Sequence, residues 1–193
     1  MFPLTRAFSW LALPFLMAAQ TQPVATTTTQ TSAASANFAY VSDDGCVQNE
    51  VIVFASQTTL AAPGKAPQTN AEVTYSRYRY DFCEDTDLGT DLGTSSQPMF
   101  AGDLSRASLN TTIHGHTASG GTVSVSFILS WNGQGTVTSR APRPQSPRPG
   151  AARLISGENL SRNAIVTGIM DEREISAAAV AASLHTARKS LAR

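Results

Sequence analysis

The chain has 193 residues, with Lys and Arg balancing Asp and Glu at zero formal charge. That length suits one domain with tails. The balance gives no basis for expecting nucleic acid or an anionic membrane as partner. Only 15% of residues are charged, so surface polarity must come mostly from Ser, Thr, Asn and Gln.

The first residues read as a secretory signal peptide over 1–19. Arg6 precedes an apolar run from Ala7 to Met17, and small residues follow at Ala18 and Ala19. The run is shorter than the ~20 apolar residues that span a bilayer. No later segment is apolar enough to cross, so no transmembrane segment is expected after cleavage. Export places the protein outside the cell or in a periplasm. It also favours a disulfide between the two cysteines, Cys46 and Cys83.

Residues 20–36 are Thr, Ser, Gln and Ala apart from Pro23 and Val24, without charge or periodicity. The tract is expected to be a disordered leader, because it buries too little apolar surface to offset its ordering entropy. Val47 to Thr59 alternates, with Val51, Val53 and Ala55 on one face and Ile52 and Phe54 on the other. Val73 to Phe82 is a second strand, rich in Tyr, Val and Thr. The Pro63-Gly64 cluster between them predicts a hairpin. The midpoint of Cys46 and Cys83 falls between Gly64 and Lys65, so the cysteines should face each other at its open end.

Glu84 to Thr94 is acidic and carries a tandem Asp-Leu-Gly-Thr repeat, read as a loop. Phe100 to Asp103 suggests a short strand or turn. Ser108 to Thr117 is expected as a strand with Leu109, Thr111 and Ile113 inward and His114 and His116 outward. Thr122 to Asn132 alternates most cleanly, with Val123, Val125, Phe127, Leu129 and Trp131 sharing a face. Asn132-Gly133 is a tight-turn signal, which makes Gly135 to Arg140 a short returning strand. Arg140 to Arg153 holds four prolines and four arginines and is expected to be an extended exposed loop. Asn163 to Met170 reads as a strand, and Ile175 to Leu191 as either helix or extended chain.

Six to eight closely spaced strands without a βαβ pattern define an all-β fold. The expected architecture is an antiparallel β-sandwich, or a partly open barrel, with one disulfide. The domain should span 37–170, with a tail of undefined structure over 171–193. Four short motifs occur in one order: Asp43-Asp44-Gly45-Cys46, Tyr80-Asp81-Phe82-Cys83, Ala107-Ser108-Leu109-Asn110 and Trp131-Asn132-Gly133-Gln134-Gly135. In that order the chain resembles a group of small exported bacterial β-rich proteins of unknown function, over roughly residues 37 to 185. The resemblance implies a long loop after the Trp hairpin, a strand like Arg162 to Gly168, and an extended tail. It implies no activity.

Asp85, Asp87 and Asp91 alternate oxygen ligands in a glycine-bearing segment and form a calcium candidate. The spacing departs from an EF-hand, since its twelfth place is Ser96. His114 and His116 lie two apart on a strand and so share a face. They form a zinc candidate that needs a third ligand, from His185 or an acid. Neither feature outweighs a solvated acidic loop or two exposed edge-strand histidines. Tyr75, Tyr78, Tyr80 and Trp131 suit core packing better than a sugar platform. Asn110 and Asn159 head glycosylation-type triplets. There is no Gly-x-Ser-x-Gly elbow, and Asp81, Glu84 and Asp103 have nothing to orient them as paired carboxylates. No catalytic residue is assigned, and no cofactor beyond weakly bound calcium is expected.

The composite expectation is a non-catalytic exported binding or structural module with an extracellular or envelope partner. Two alternatives stand beside it. One is a metal-assisted hydrolase built on His114 and His116. The other is an interaction or inhibitor protein acting through an exposed loop, 84–97 or 140–153.

Overall fold

The computed structural model describes residues 26–96, 104–141, 153–171, 173–175 and 180–192. The segment expected to be a signal peptide, Phe100 to Asp103 and most of the Arg/Pro loop lie outside the described residues. The described chain is all β. Its strands are β1 (Thr26–Val41), β2 (Val47–Ala61), β3 (Gln68–Asp81), β4 (Thr86–Ser95), β5 (Arg106–His116), β6 (Thr122–Arg140), β7 (Arg153–Met170), β8 (Arg173–Ile175) and β9 (Val180–Ala192).

All nine belong to one antiparallel sheet in the order β6-β5-β4-β3-β2-β1-β9-β7-β8. The sheet curls until β6 also pairs β7, from Phe127↔Met170 to Arg140↔Asn159. The result is the expected all-β antiparallel architecture, built as one large curled sheet and not as a clean barrel. The β4–β5 seam is narrow, limited to Leu92↔His116, Gly93↔Gly115 and Thr94↔His114. Close backbone approach there requires glycine, since a Cβ on Gly115 would lie 1.9 Å from the Leu92 carbonyl oxygen.

The interior is built by period-two alternation. Val51, Val53 and Ala55 point in, while Ile52 and Phe54 are half exposed. Leu109 and Ile113 face Val125, Phe127, Leu129 and Trp131 across the β5–β6 ladder. Trp131 reaches across the interior, and its indole Nε1–H donates to the Ser35 carbonyl at 2.8 Å. Ala34 and Ala36 flank that contact, fully buried, so small residues on β1 meet the largest side chain of β6.

The first hairpin forms as expected, with the β2–β3 ladder running from Leu60↔Gln68 to Val47↔Asp81. Its centre is Gly64, half a residue from the midpoint of the cysteines. Cys46 therefore pairs with Phe82, whose N–H donates to the Cys46 carbonyl at 2.9 Å. Cys83 is one step further and still bonds Cys46, at a Cα–Cα separation of 5.3 Å.

Several expectations are corrected. The tract expected to be a disordered leader is strand from Thr26, because β2 and β9 pair it on both sides. Cross-strand hydroxyl contacts such as Ser35 to Ser183 at 2.8 Å and Thr31 to Thr58 at 3.1 Å accompany those ladders. Asn132-Gly133 is not a turn. β6 runs through it, pairing Asn132 with Arg106 on one side and Ile165 on the other. Gly133 is there for close packing, since a Cβ would lie 2.3 Å from the Leu104 carbonyl oxygen. Residues 135–140 continue β6 beyond an irregularity between Gln134 and Thr138. The acidic segment after Cys83 is mostly β4 and not a loop. The tail holds β8 and β9, so the extended alternative holds over Val180–Ala192.

The disulfide closes a segment with a sequence separation of 37. Replacing Cys46 and Cys83 by Ala should lower unfolding free energy by about 3 to 4 kcal/mol, measured by urea denaturation of the oxidised and the substituted protein.

Candidate functional site

The inward faces of β1, β2, β3 and β4 do not stay apolar to their ends. On β3, Val73 and Tyr75 are buried in the core, and the next two inward positions are Arg77 and Arg79. On β4 the inward residue opposite Arg77 is Asp91, whose side chain is wholly buried. Tyr40 and Asn49, partners on β1 and β2, complete a polar layer over the hydrophobic one. A register shift at Arg79/Tyr80 leaves Leu88 as an extra residue of β4, and Gly89 takes φ +78°. Such a bulge re-aims neighbouring side chains at a barrel rim.

Asp91 is shared by two guanidiniums. Arg77 donates from Nε at 3.0 Å and Nη2 at 2.6 Å to Oδ2, and Arg79 Nη2 donates to Oδ1 at 3.2 Å. Arg77 Nη1 also donates, at 3.5 Å, to the Tyr40 hydroxyl. Burial opposes the charge on Arg77, but the bonds to Tyr40 and Asp91 more than offset it and hold its pKa above the ordinary value. Two cations thus share one anion, and the layer keeps one net positive charge. The Arg79 Nε and the Tyr75 hydroxyl are buried with no hydrogen-bond partner. Burial foremost pushes the Tyr75 pKa up, so this hydroxyl stays protonated, able both to donate and to accept; Asp91 adds to the shift and Arg77 opposes it.

Above this layer opens a cleft of about 400 Å³, the mouth of the barrel, with Val47, Leu88, Met170 and Asp171 among its walls. Arg173 stands over the Tyr40 ring at 4.8 Å and donates to Asp43 at 2.6 Å. Asp43 is 91% exposed, so that pair contributes little to stability. Asp171, at φ +46°, accepts from the Ser126 N–H at 2.8 Å and pins the β7–β8 turn to β6. The disulfide lies at this same end. The larger hollow, about 710 Å³ beside Glu72, Thr94, Thr112 and His114, lies on the outer face. It contains no buried charge.

The acidic triplet is not brought together. Asp85 accepts from the Tyr80 hydroxyl on the exposed rim, Asp87 accepts from the Gly89 N–H at 2.7 Å, and Asp91 is inside with Arg77 and Arg79. His114 and His116 are exposed on β5 as expected, with His114 Nδ1 3.1 Å from Ser124 Oγ. His185 lies on β9, 2.9 Å from Ser183 Oγ. Among the described residues, the one set of three ligand atoms within 4.8 Å of each other is Cys46, Asp81 and Cys83. Its two sulfurs are joined in the disulfide. Tyr75 and Trp131 are core, Tyr78 is at the surface, and Tyr80 meets Phe82 edge-on at 5.5 Å, so the aromatics form no platform. Arg77 and Arg79 were not anticipated as site residues. The signal was their spacing, since both continue the inward face begun by Val73 and Tyr75.

The molecule is therefore an all-β antiparallel module with one disulfide and a charged mouth, and no clear catalytic triad among its described residues. No protein-family model matches the sequence, and no curated protein matches it. Among solved structures it overlaps weakly with a crystal structure assigned to AttH from Nitrosomonas europaea, at 10% identity and a TM-score of 0.31. That overlap covers 84% of this chain and 51% of the other, so the chain spans about half the length of that protein. Among the described residues no helix is long and apolar enough to cross a membrane.

Two outcomes are expected of the mouth. Asp91→Asn leaves two guanidiniums without their carboxylate and should cost about 3 kcal/mol, read from the shift in urea midpoint. The Tyr75 pKa is raised on folding, so the unfolded chain loses this proton first. Stability should fall as pH rises past about 10, the unfolded value, until the folded hydroxyl itself ionises. A pH series of melts on the parent chain and Tyr75→Phe should show a shallower alkaline fall in the variant.

Proposed function

We propose that the domain is a non-catalytic exported binding module, and that the barrel mouth is where it binds. The observation that carries this reading is an open cleft walled by Arg77 and Arg79, in which the buried Arg79 Nε has no hydrogen-bond partner. Buried polar groups are paired in the great majority of cases, and an exception calls for a missing partner. A ligand seated in the cleft supplies one. Among the described residues the interior away from the mouth is filled by Trp131, Phe127 and the aliphatic residues around them. The non-catalytic part of the reading is supported by the residues beside it. The guanidiniums are committed donors that do not exchange protons near neutral pH, and Asp91 is held on both oxygens by them. Export is supported by the apolar run behind Arg6 and by the disulfide.

Leu88 lines the cleft on the bulge, so enlarging it should plug the mouth. A nuclear magnetic resonance screen of small neutral, cationic and anionic fragments on the full oxidised chain should give shifts at Tyr40, Asn49, Arg77 and Arg79. Leu88→Trp should abolish them while leaving the far-ultraviolet circular dichroism unchanged. Fragments that bind elsewhere but never shift the mouth would end this reading.

A further inference from the structure

We propose that Cys46 and Cys83, before oxidation joins them, hold a zinc ion together with Asp81. The two sulfurs and a carboxylate oxygen of Asp81 lie within 4.8 Å of one another. They stand at the open end of the β2–β3 hairpin, where Cys83 is exposed and Cys46 and Asp81 are half-buried, so an ion can reach them from solvent. Every new chain carries these cysteines first as thiols, so the dithiol is a state the protein passes through. A dithiol reductant restores it, giving two electrons and two protons and closing its own disulfide.

The backbone holds the ligands in place without the S–S bond. Val47 and Asp81 form the last pair of the ladder, and just beyond it the Phe82 N–H donates to the Cys46 carbonyl at 2.9 Å. Each cysteine also donates its N–H to the aspartate two residues before it, Cys46 to Asp44 at 3.0 Å and Cys83 to Asp81 at 2.9 Å. The Cα–Cα separation is 5.3 Å. From that spacing, side-chain rotation parts the sulfurs to the roughly 3.7 Å that separates two thiolates on one tetrahedral zinc with Zn–S bonds near 2.3 Å.

Asp81 is oriented for the third place. The Cys83 and Glu84 N–H groups both donate to its Oδ1, at 2.9 and 3.0 Å, and among the described residues Oδ2 accepts none. Two thiolates and a carboxylate suit zinc, with water in the fourth place, whereas calcium takes six to eight oxygens. Zinc entry releases one proton from each thiol and breaks no other bond. Oxidation removes both sulfurs as ligands, so metal and disulfide are alternative staples of one hairpin end.

The test uses the full chain, reduced, freed of reductant and kept under argon, with cobalt(II) as a coloured stand-in for zinc. One equivalent should give a thiolate-to-cobalt absorption band that zinc bleaches, and the oxidised chain should give none. Cys46→Ser and Cys83→Ser should each abolish the band. Asp81→Asn keeps an oxygen for both N–H bonds but loses the charge, and should weaken binding at least about tenfold. Glu84→Gln should leave it unchanged. Zinc should raise the melting temperature of the reduced chain and not that of the oxidised one, a readout that needs no variant to fold. No band in the reduced chain, equal affinity after Asp81→Asn, or equal affinity in reduced chain unfolded by urea would overturn the proposal. So would a reduced chain that zinc does not stabilise.

Discussion

Everything in this molecule hangs on the insertion of β9 between β1 and β7. The two ends of the described chain meet there, from Phe38↔Val180 to Thr26↔Ala192 on one side and from Ala164↔Ala182 to Arg153↔Ala192 on the other. Without β9 both β1 and β7 would present open backbone edges, which are templates for aggregation. With it the sheet closes through β6 and β7, and its concave side becomes an interior. That closure requires contacts between the most distant parts of the sequence, so it carries the loop-closure entropy of nearly the whole domain. Trp131 shows what closure achieves: a residue of β6 hydrogen bonds to β1 across the lumen, with neither strand neighbouring the other in the sheet.

An interior closed in this way has ends, and the mouth is one of them. The hydrophobic layer ends at Tyr75 and Phe127, whose rings lie 5.5 Å apart, and the charged layer begins one inward step further along β3. Placing Asp91 there is costly in desolvation, and the two arginines offset that cost through three hydrogen bonds. The bulge at Leu88 and the disulfide at the end of β2 and β3 fix the surrounding rim. Arg77 and Arg79 stand on strand β3 and not on a loop, so these donors of the mouth are held in place before any ligand arrives.

Where side chains alternate between apolar and polar, the fold could be read from the residues. Val51, Val53 and Ala55, and the run from Val123 to Trp131, lie inward as their period demands, and the two cysteines meet at the open end of their hairpin. The failures have physical causes. β1 carries Thr, Ser and Ala on both faces, so no apolar period marks it except Ala34, Ala36 and Phe38. Its order comes from two neighbours that lie far away in sequence. Asn132-Gly133 has the chemistry of a turn, but the glycine serves close packing against Leu104 and Arg162. The acidic repeat misled because β4 inverts the usual rule: Leu92 is 56% exposed while Asp91 is buried. The bulge at Leu88 shifts the register between the two copies, so Asp87 ends on the rim and Asp91 in the interior. Local sequence contains the repeat but not the arginines that neutralise its second copy.

The orphaned Arg79 Nε locates the site better than the size of any hollow does. On the outer face the hydroxyls satisfy one another, as Thr112 does with Ser126, or face water. In the core neither remedy is available to Tyr75. Its packing needs only the ring, which Phe would supply equally well, and a buried hydroxyl without an acceptor costs about 1 to 3 kcal/mol. Arg79 Nε, also buried without a partner, stands four residues further along the same strand and in the wall of the cleft. An acceptor that enters the cleft from outside would meet Arg79, whereas a purely structural role for the layer explains Asp91 and leaves the Arg79 Nε without a reason.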